Sequence, residues 1–394
     1  MTESFIELDS RQVTKGGQRI CGDVFLVDRN PDNGRIVATL SDGMGSGVKA
    51  NVLANLTAGM GQRFVLADAD IKKGAEVVLN TLPVCRERKI SYATFSMADI
   101  GADGRVVLVE YDNPPALWIR DGRVLEPERG EIALEREDAF RTEILRSSEF
   151  RLRPEDRLVL CSDGVVQSGM GTPAYPLGWR DAGLVEFVEE LVAGDPGMSA
   201  GELASRITRR ALANDGYRAR DDISCAVAYV REPRKLLLAT GPPFDSNRDA
   251  ELAGEIRRFP GRKVISGGTT ATIVAREWDR RVEVNLRDRS RDVPPSARLD
   301  GADLVTEGML TLGRTAEILE ERRALEGAPR NAAETLAELL RDSDEVSFLV
   351  GTRINETHHD PSLPFELGIR RTLVDRLRRS LETVHLKKTD VRYV

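Results

Sequence analysis

Histidine is scarce in this chain, with three in 394 residues, which argues against a zinc site built on imidazole. The four cysteines, Cys21, Cys85, Cys161 and Cys225, stand apart with no C-x-x-C pair. That spacing fits neither a zinc cluster nor a disulfide framework, so reduced, structural thiols are expected. Long apolar runs are also missing. None approaches the roughly eighteen residues of a membrane span. The start, MTESFIELDSRQ, is acidic and polar and lacks a signal-peptide core. Basic residues are not in excess either: 57 Lys and Arg face 64 Asp and Glu, a net charge of −7. No global bias toward nucleic acid or anionic lipid follows from such a balance. The expectation is a cytoplasmic protein with neither as a partner.

What is present is enough apolar material, 41% of residues, for more than one core. A chain of this length suits two domains. Up to about residue 230, short β-like runs dominate: Arg35–Asp42, Tyr92–Ile100, Arg105–Asn113, Ala116–Leu125, Arg157–Gly164 and Asp222–Val230. They are β-branched or alternating and bounded by Gly, Asp, Asn or Pro. Ala102–Gly104 and Arg120–Gly122 are hairpin signals. Two helical patterns stand out, Val48–Phe64 and Gly201–Ala213, the first with a small-residue stripe at Ala50, Ala54 and Ala58. Frequent hairpins predict an antiparallel α+β domain over residues 1–232. The pattern changes near Arg231–Lys235. Strands and amphipathic stretches then alternate, predicting a C-terminal α/β domain over residues 236–394.

The chemistry lies in repeated aspartates. LSDGMGSGVKAN (Leu40–Asn51) runs from a strand through Asp42 and a glycine-rich turn into a helix. Ser-Asp-Gly recurs at Asp163. Asp23 precedes a strand, and Asp221 and Asp222 open the last strand of this half. A single Asp-Gly is more often a turn than a ligand. Four such sites at strand ends, however, can converge at one sheet edge, where their mutual repulsion calls for a cation. Carboxylates without histidine suit Mg²⁺ or Mn²⁺. Two such ions about 3.5–4 Å apart lower the pKa of shared water and aim it at phosphorus. Gly43 allows a sharp turn that points its carbonyl at the same ion.

The ordered set CGD, LSDGMGSG, YATFSMADI, VEYDNPPALWIR, LVLCSDGV and DDISCAV resembles the stage II sporulation protein E family of metal-dependent, type 2C-like serine/threonine protein phosphatases. The likeness covers about residues 10–230. It implies an α/β/β/α sandwich of two antiparallel sheets flanked by helices, with two Mn²⁺ or Mg²⁺ at one end. It also implies that Asp42 bridges both metals with the Gly43 carbonyl on one of them, and that Asp163 is a ligand. Asp221 is preferred to Asp222, and Asp23 acts through a bound water. Asp42, Asp163 and Asp221 are the implied catalytic set. Arg19 is the candidate for holding the substrate phosphate, as an arginine near the domain start does in the wider group. Ile223-Ser224 departs mildly from the usual Met-Thr. The helix after Asp42 is placed to couple partner binding to metal geometry.

Rival readings are weaker. The spacing G-x-G-x-G in GMGSGVKA fits neither the dinucleotide fingerprint nor the P-loop. In the second half, Val264–Glu277 (VISGGTTATIVARE) could present backbone N–H groups to a phosphate or carboxylate, although a turn with an N-cap threonine is the favoured reading. His358–Asp360 reads as a surface loop rather than a metal site. The helix carrying Arg370, Arg371, Arg376, Arg378 and Arg379 reads as a solvated face over Leu373, Leu377 and Leu381, with docking of an acidic protein as the other reading. The expected activity is hydrolysis of phosphoserine or phosphothreonine on a bacterial signalling protein. An anti-sigma factor antagonist is the partner the family implies, the C-terminal domain takes a small-molecule or protein signal, and a homodimer is allowed. The alternatives are a phosphoprotein-binding scaffold and a metal-dependent hydrolase of a small phosphate ester.

Overall fold

The computed structural model describes residues 4–30, 33–67, 70–82, 93–134, 142–285, 292–321, 331–353 and 363–394. Cys85 and His358–Asp360 lie outside them. The chain divides into two compact units, Met1–Glu232 and Pro233–Val394.

The first unit is built on two antiparallel sheets. One has the order β1 (Phe5–Val13), β11 (Ile223–Arg231), β10 (Arg157–Cys161), β6 (Leu117–Arg120) and β7 (Arg123–Leu125). The other runs β2 (Asp23–Arg29), β3 (Ile36–Gly43), β4 (Ala93–Ile100), β5 (Arg105–Tyr111), β9 (Glu143–Arg151) and β8 (Arg129–Leu134). Ile36, Leu40, Ala98, Leu108, Leu158, Leu160, Ala226 and Ala228 fill the space between them. Helices α1 (Gly47–Leu66) and α2 (Ile71–Thr81) pack on the outer face of the second sheet. A single turn, α3 (Asp163–Val166), follows β10, and α4 (Arg180–Gly194) and α5 (Ala200–Asn214) cover the first sheet. The result is the expected four-layer α/β/β/α sandwich.

Local sequence explains these elements. β3 is buried over nearly its whole length because it lies mid-sheet with a helix on one face and the core on the other. In α4, Leu184, Val188 and Val192 repeat every four residues and face the core. Each such burial contributes about 1.5–3 kcal/mol. Ser199 caps α5 through the Glu202 amide. Asp121 and Gly122, both at positive φ, turn β6 into β7, so Ala116–Leu125 is the hairpin that Arg120–Gly122 signals. The sequence reading did not single out β1, β8 or β9, nor α2 or α4. Charged residues break the apolar pattern of β9, and they interrupt the apolar stripes of α2 and α4.

The second unit holds one sheet, ordered β14 (Glu283–Val284), β15 (Ala297–Arg298), β16 (Leu304–Thr306), β13 (Arg262–Ser266), β12 (Lys235–Thr240), β17 (Glu345–Val350) and β18 (Lys388–Tyr393). From β16 to β18 every pairing is parallel. Helices α6 (Asp249–Arg258) and α7 (Gly268–Trp278) pack on one face, and α8 (Met309–Glu320), α9 (Ala332–Arg341) and α10 (Leu363–Thr383) on the other. Strand order reverses between β12 and β17, as in a doubly wound sheet. Two expectations change here. The N-cap of α7 is Gly267, not a threonine. The arginines of α10 are partly committed within the unit: Arg376 pairs with Glu320, Arg378 with Glu382, and Arg370 donates to the Gly351 carbonyl. Among the described residues no helix is long and apolar enough to cross a membrane.

Candidate metal centre

Asp42 sits one residue from the end of β3, directly across from Asp23 on β2 and Thr94 on β4. A Cβ on Gly43 would lie 2.0 Å from the Ala50 carbonyl oxygen, so only glycine lets α1 fold back so closely beside Asp42. Gly45 and Gly47, at φ +110° and +66°, make that reversal. Behind Asp42 lies a polar peg. Ser41 Oγ donates to the Thr94 carbonyl, Thr94 Oγ1 to Asn113 Oδ1, and Asn113 Nδ2 to Ser96 Oγ. In the sequence, Asn113 is marked only by its place between a strand end and two prolines.

The second Ser-Asp-Gly behaves differently. β10 ends at Cys161, Ser162 is the N-cap, and Asp163 is the first residue of α3. Gln167 Nε2 donates to Asp163 Oδ2 at 2.7 Å, while Oδ1 is buried without a partner. A Cβ on Gly164 would lie 2.1 Å from the Asp222 carbonyl oxygen, which brings the Asp163 turn against the Asp221–Asp222 pair.

That pair divides its work. Asp222 is buried, and its carboxylate accepts the Lys15 and Gly22 amides at 2.8 and 2.9 Å. It thereby clamps both ends of the loop between β1 and β2. Asp221 is more exposed and faces Lys15 Nζ at 3.2 Å. Asp221 is therefore the freer carboxylate. Arg19 lies in the clamped loop and is exposed. Lys15, which the sequence reading passed over, is the cation that meets Asp221.

The structure brings Asp23, Asp42, Asp163, Asp221 and Asp222 together electrostatically. Asp23 is 2% exposed, and both its carboxylate oxygens lack a hydrogen bond. Burial, then the charges of Asp222 and Asp163, push its pKa up to about 6, with partial relief from the nearby Ser162 and Ser224 hydroxyls. Burial and the charges of Asp23, Asp163 and Asp221 hold Asp42 well above the carboxylate range. Burial and Asp221 raise Asp163. The partly exposed Cys21 thiol is pushed up to about 12 by burial and by Asp23 and Asp222. By contrast, Cys161 and Cys225 are buried thiols on adjacent strands.

Among the described residues, no three His, Cys, Asp or Glu side chains form a ready-made metal cage. The donor set nevertheless fits hard cations. Buried carboxylate oxygens lack partners, and like charges are close enough to hold on to protons. Mg²⁺ keeps several waters, so few direct ligands are needed. A cation there would offset the mutual repulsion that raises Asp23, Asp42 and Asp163.

Two facing antiparallel sheets, helices outside and an acidic cluster at the strand ends define the class: a type 2C-like phosphatase fold. The chain belongs to the stage II sporulation protein E (SpoIIE) family, whose model matches residues 32–231. Solved structures similar to it include the phosphatase domain of SpoIIE from Bacillus subtilis, at 16% identity over 59% of this chain and 95% of that one, with a TM-score of 0.43. The type 2C domain of SpoIIE from Bacillus subtilis with a fragment of its regulatory domain is 18% identical over 58% and 63%, with a TM-score of 0.47. The RsbU and RsbW domains of a Mycobacterium tuberculosis protein are 17% identical over 65% and 70%, with a TM-score of 0.44. No curated protein matches the chain significantly.

Proposed function

We propose that the first unit is a metal-dependent protein serine/threonine phosphatase. It would act in the cytoplasm on a phosphorylated bacterial signalling protein, with an anti-sigma factor antagonist as the substrate class. The observation that supports this most is the convergence of Asp42, Asp163 and Asp221 around the partnerless carboxylate of Asp23.

Asp42, Asp163 and Asp221 would hold Mn²⁺ or Mg²⁺ directly, with the Gly43 carbonyl beside them and Asp23 reaching a bound water. Asp222 belongs to the scaffold, since its oxygens are occupied by the Lys15 and Gly22 amides. Two divalent ions bound there would supply water acidified for attack and positive charge for the phosphoryl oxygens. The chain's own part is positioning. The Thr94–Asn113 peg holds β3 at the Leu40 carbonyl, two residues before Asp42, and Asp222 clamps the loop that carries Lys15 and Arg19. Those two cations are then available to the substrate phosphate.

The test is Mn²⁺-dependent phosphate release from a phosphoserine peptide, compared with p-nitrophenyl phosphate. Loss of both activities in a folded Asp42→Asn protein supports the enzyme. Absence of turnover with every divalent ion tried would leave the scaffold reading in its place. Faster turnover of phosphorylated metabolites than of the peptide would favour the small-ester hydrolase.

A further inference from the structure

The second unit contains an arrangement that the phosphatase reading does not use. In a doubly wound sheet, ligands usually bind beyond the carboxyl ends of the strands, at the reversal of strand order. Here the two turns at that reversal are stitched together. Gly351 N donates to the Thr240 carbonyl at 2.8 Å, and Arg353 N to the Pro242 carbonyl at 3.2 Å. The neighbouring turns, after β13 and β16, are built differently.

Each of these turns ends in a glycine that caps a helix. Gly267 caps α7, Gly308 caps α8, and neither helix has a side-chain cap or an acidic residue in its first turn. The glycines meet: a Cβ on Gly308 would lie 3.7 Å from the Gly267 Cα. Gly267 holds φ +119°, and Gly268 faces open space. Beneath them, Thr306 Oγ1 donates to Ser266 Oγ, tying the two strand ends together.

Two threonines complete the arrangement. Thr270 and Thr311 occupy the third position of α7 and of α8, and they are 1% and 0% exposed. Neither hydroxyl has a hydrogen-bond partner. Thr270 Oγ1 lies 3.5 Å from where a Gly267 side chain would begin, so it looks into the gap above the cap. A buried hydroxyl left without a partner opposes folding. Finding one in the first turn of each of two adjacent helices, both capped only by glycine, points to a missing acceptor.

We propose that this paired turn binds the phosphoryl group of a small molecule. Two helix N-termini supply partial positive charge and inward N–H groups. Glycines on both sides let the anion reach the backbone. A tetrahedral phosphoryl group can address donors from two helices at once, whereas a planar carboxylate addresses one plane. Leu310, 64% exposed on the first turn of α8, offers an apolar surface for the rest of an organic phosphate.

The experiment uses the full chain treated with EDTA, so that the acidic centre repels anions. Calorimetric titration with inorganic phosphate and with ADP should show saturable binding of one or both. Gly268→Asp places a carboxylate where space is open and where the helix dipole favours it; binding should weaken by about tenfold or more. Thr270→Val removes the orphan hydroxyl; it should weaken binding by about three- to tenfold while leaving the ligand-free melting temperature equal or higher. Asp42→Asn should bind as the parent does. Equal affinity for both probes identifies free phosphate as the ligand, and tighter ADP binding identifies an organic phosphate. The proposal is overturned if neither probe binds, or if folded Gly268→Asp and Thr270→Val proteins bind unchanged. Should Gly268→Asp fail to fold, Thr270→Val decides alone.

Discussion

Asp23 and Asp42 are direct cross-strand partners on β2 and β3, two carboxylates placed opposite one another at the end of a buried ladder. Like charges in that position destabilise a sheet unless something neutralises them. In the cation-free chain the neutralising agent is the proton. Asp23 has its pKa raised to about 6 from an ordinary 3.8, through burial first and neighbouring charge second. The folded state therefore holds this proton more tightly than the unfolded state. Asp23 does not oppose folding below the unfolded value and becomes a liability as pH climbs through about 6. The loss amounts to about 3 kcal/mol by neutral pH. Urea unfolding in EDTA should show the stability gain of Asp23→Asn over the parent growing between pH 4 and 7, and Mn²⁺ should remove it. An advantage that does not vary with pH would contradict the raised pKa. If Asp23 reaches the metal through water, as proposed, the same substitution should weaken Mn²⁺ binding by about 10–100-fold.

Gly43 tests the link between α1 and Asp42. Any side chain there meets the Ala50 carbonyl. Gly43→Ala should cost about 1–3 kcal/mol of stability and displace α1 from Asp42. The expected readout is a higher Mn²⁺ requirement for activity, measured at a temperature where the variant remains folded. Ala54→Leu and Ala58→Leu, at fully buried positions packed near Val24, should do the same. Unchanged metal dependence in all three would show that the helix does not set the geometry of Asp42.

Under the proposed phosphatase reading, Lys15 and Arg19 are the two candidates for phosphate anchor. Lys15 already touches the centre through Asp221. Lys15→Ala should raise KM for a phosphoserine peptide by about tenfold, the value of one charge-assisted contact. Arg19→Ala should have the smaller effect. The reverse order in steady-state kinetics would assign the anchor to Arg19.

Cys21 should report metal occupancy. Its thiol, raised to about 12 by burial and by Asp23 and Asp222, should resist iodoacetamide at pH 8 in EDTA. Cations at the centre offset those two charges, so mass-spectrometric labelling of Cys21 should quicken with Mn²⁺. Equal rates would place the cations elsewhere.

Much of this was legible before any coordinates. The strands that carry Asp23 and Asp42, and the one that follows Asp221 and Asp222, show as β-branched runs bounded by Gly and Asp, and the glycines after Asp42 announce a tight reversal. Other parts were hidden. Lys15 is an ordinary lysine until Asp222, far along the chain, clamps its loop. Asn113 gains a role only when β5 lies beside β4. The two Ser-Asp-Gly motifs look identical, yet one continues a strand and the other opens a helix, because β3 is paired on both sides out to Asp42 while the pairing of β10 stops at Cys161.

The sequence by itself determined the supply of chemistry: carboxylates rather than histidine, glycine where the backbone must turn, and a change of pattern near residue 232. Those are properties of residue type and near neighbours, which composition and periodicity carry. Only the tertiary structure decided which acid is free and which is clamped, which cation meets them, and that two glycine-capped helices meet at one edge of the second sheet. These depend on contacts between distant segments, whose energies arise when the sheets pack and leave no trace in local spacing.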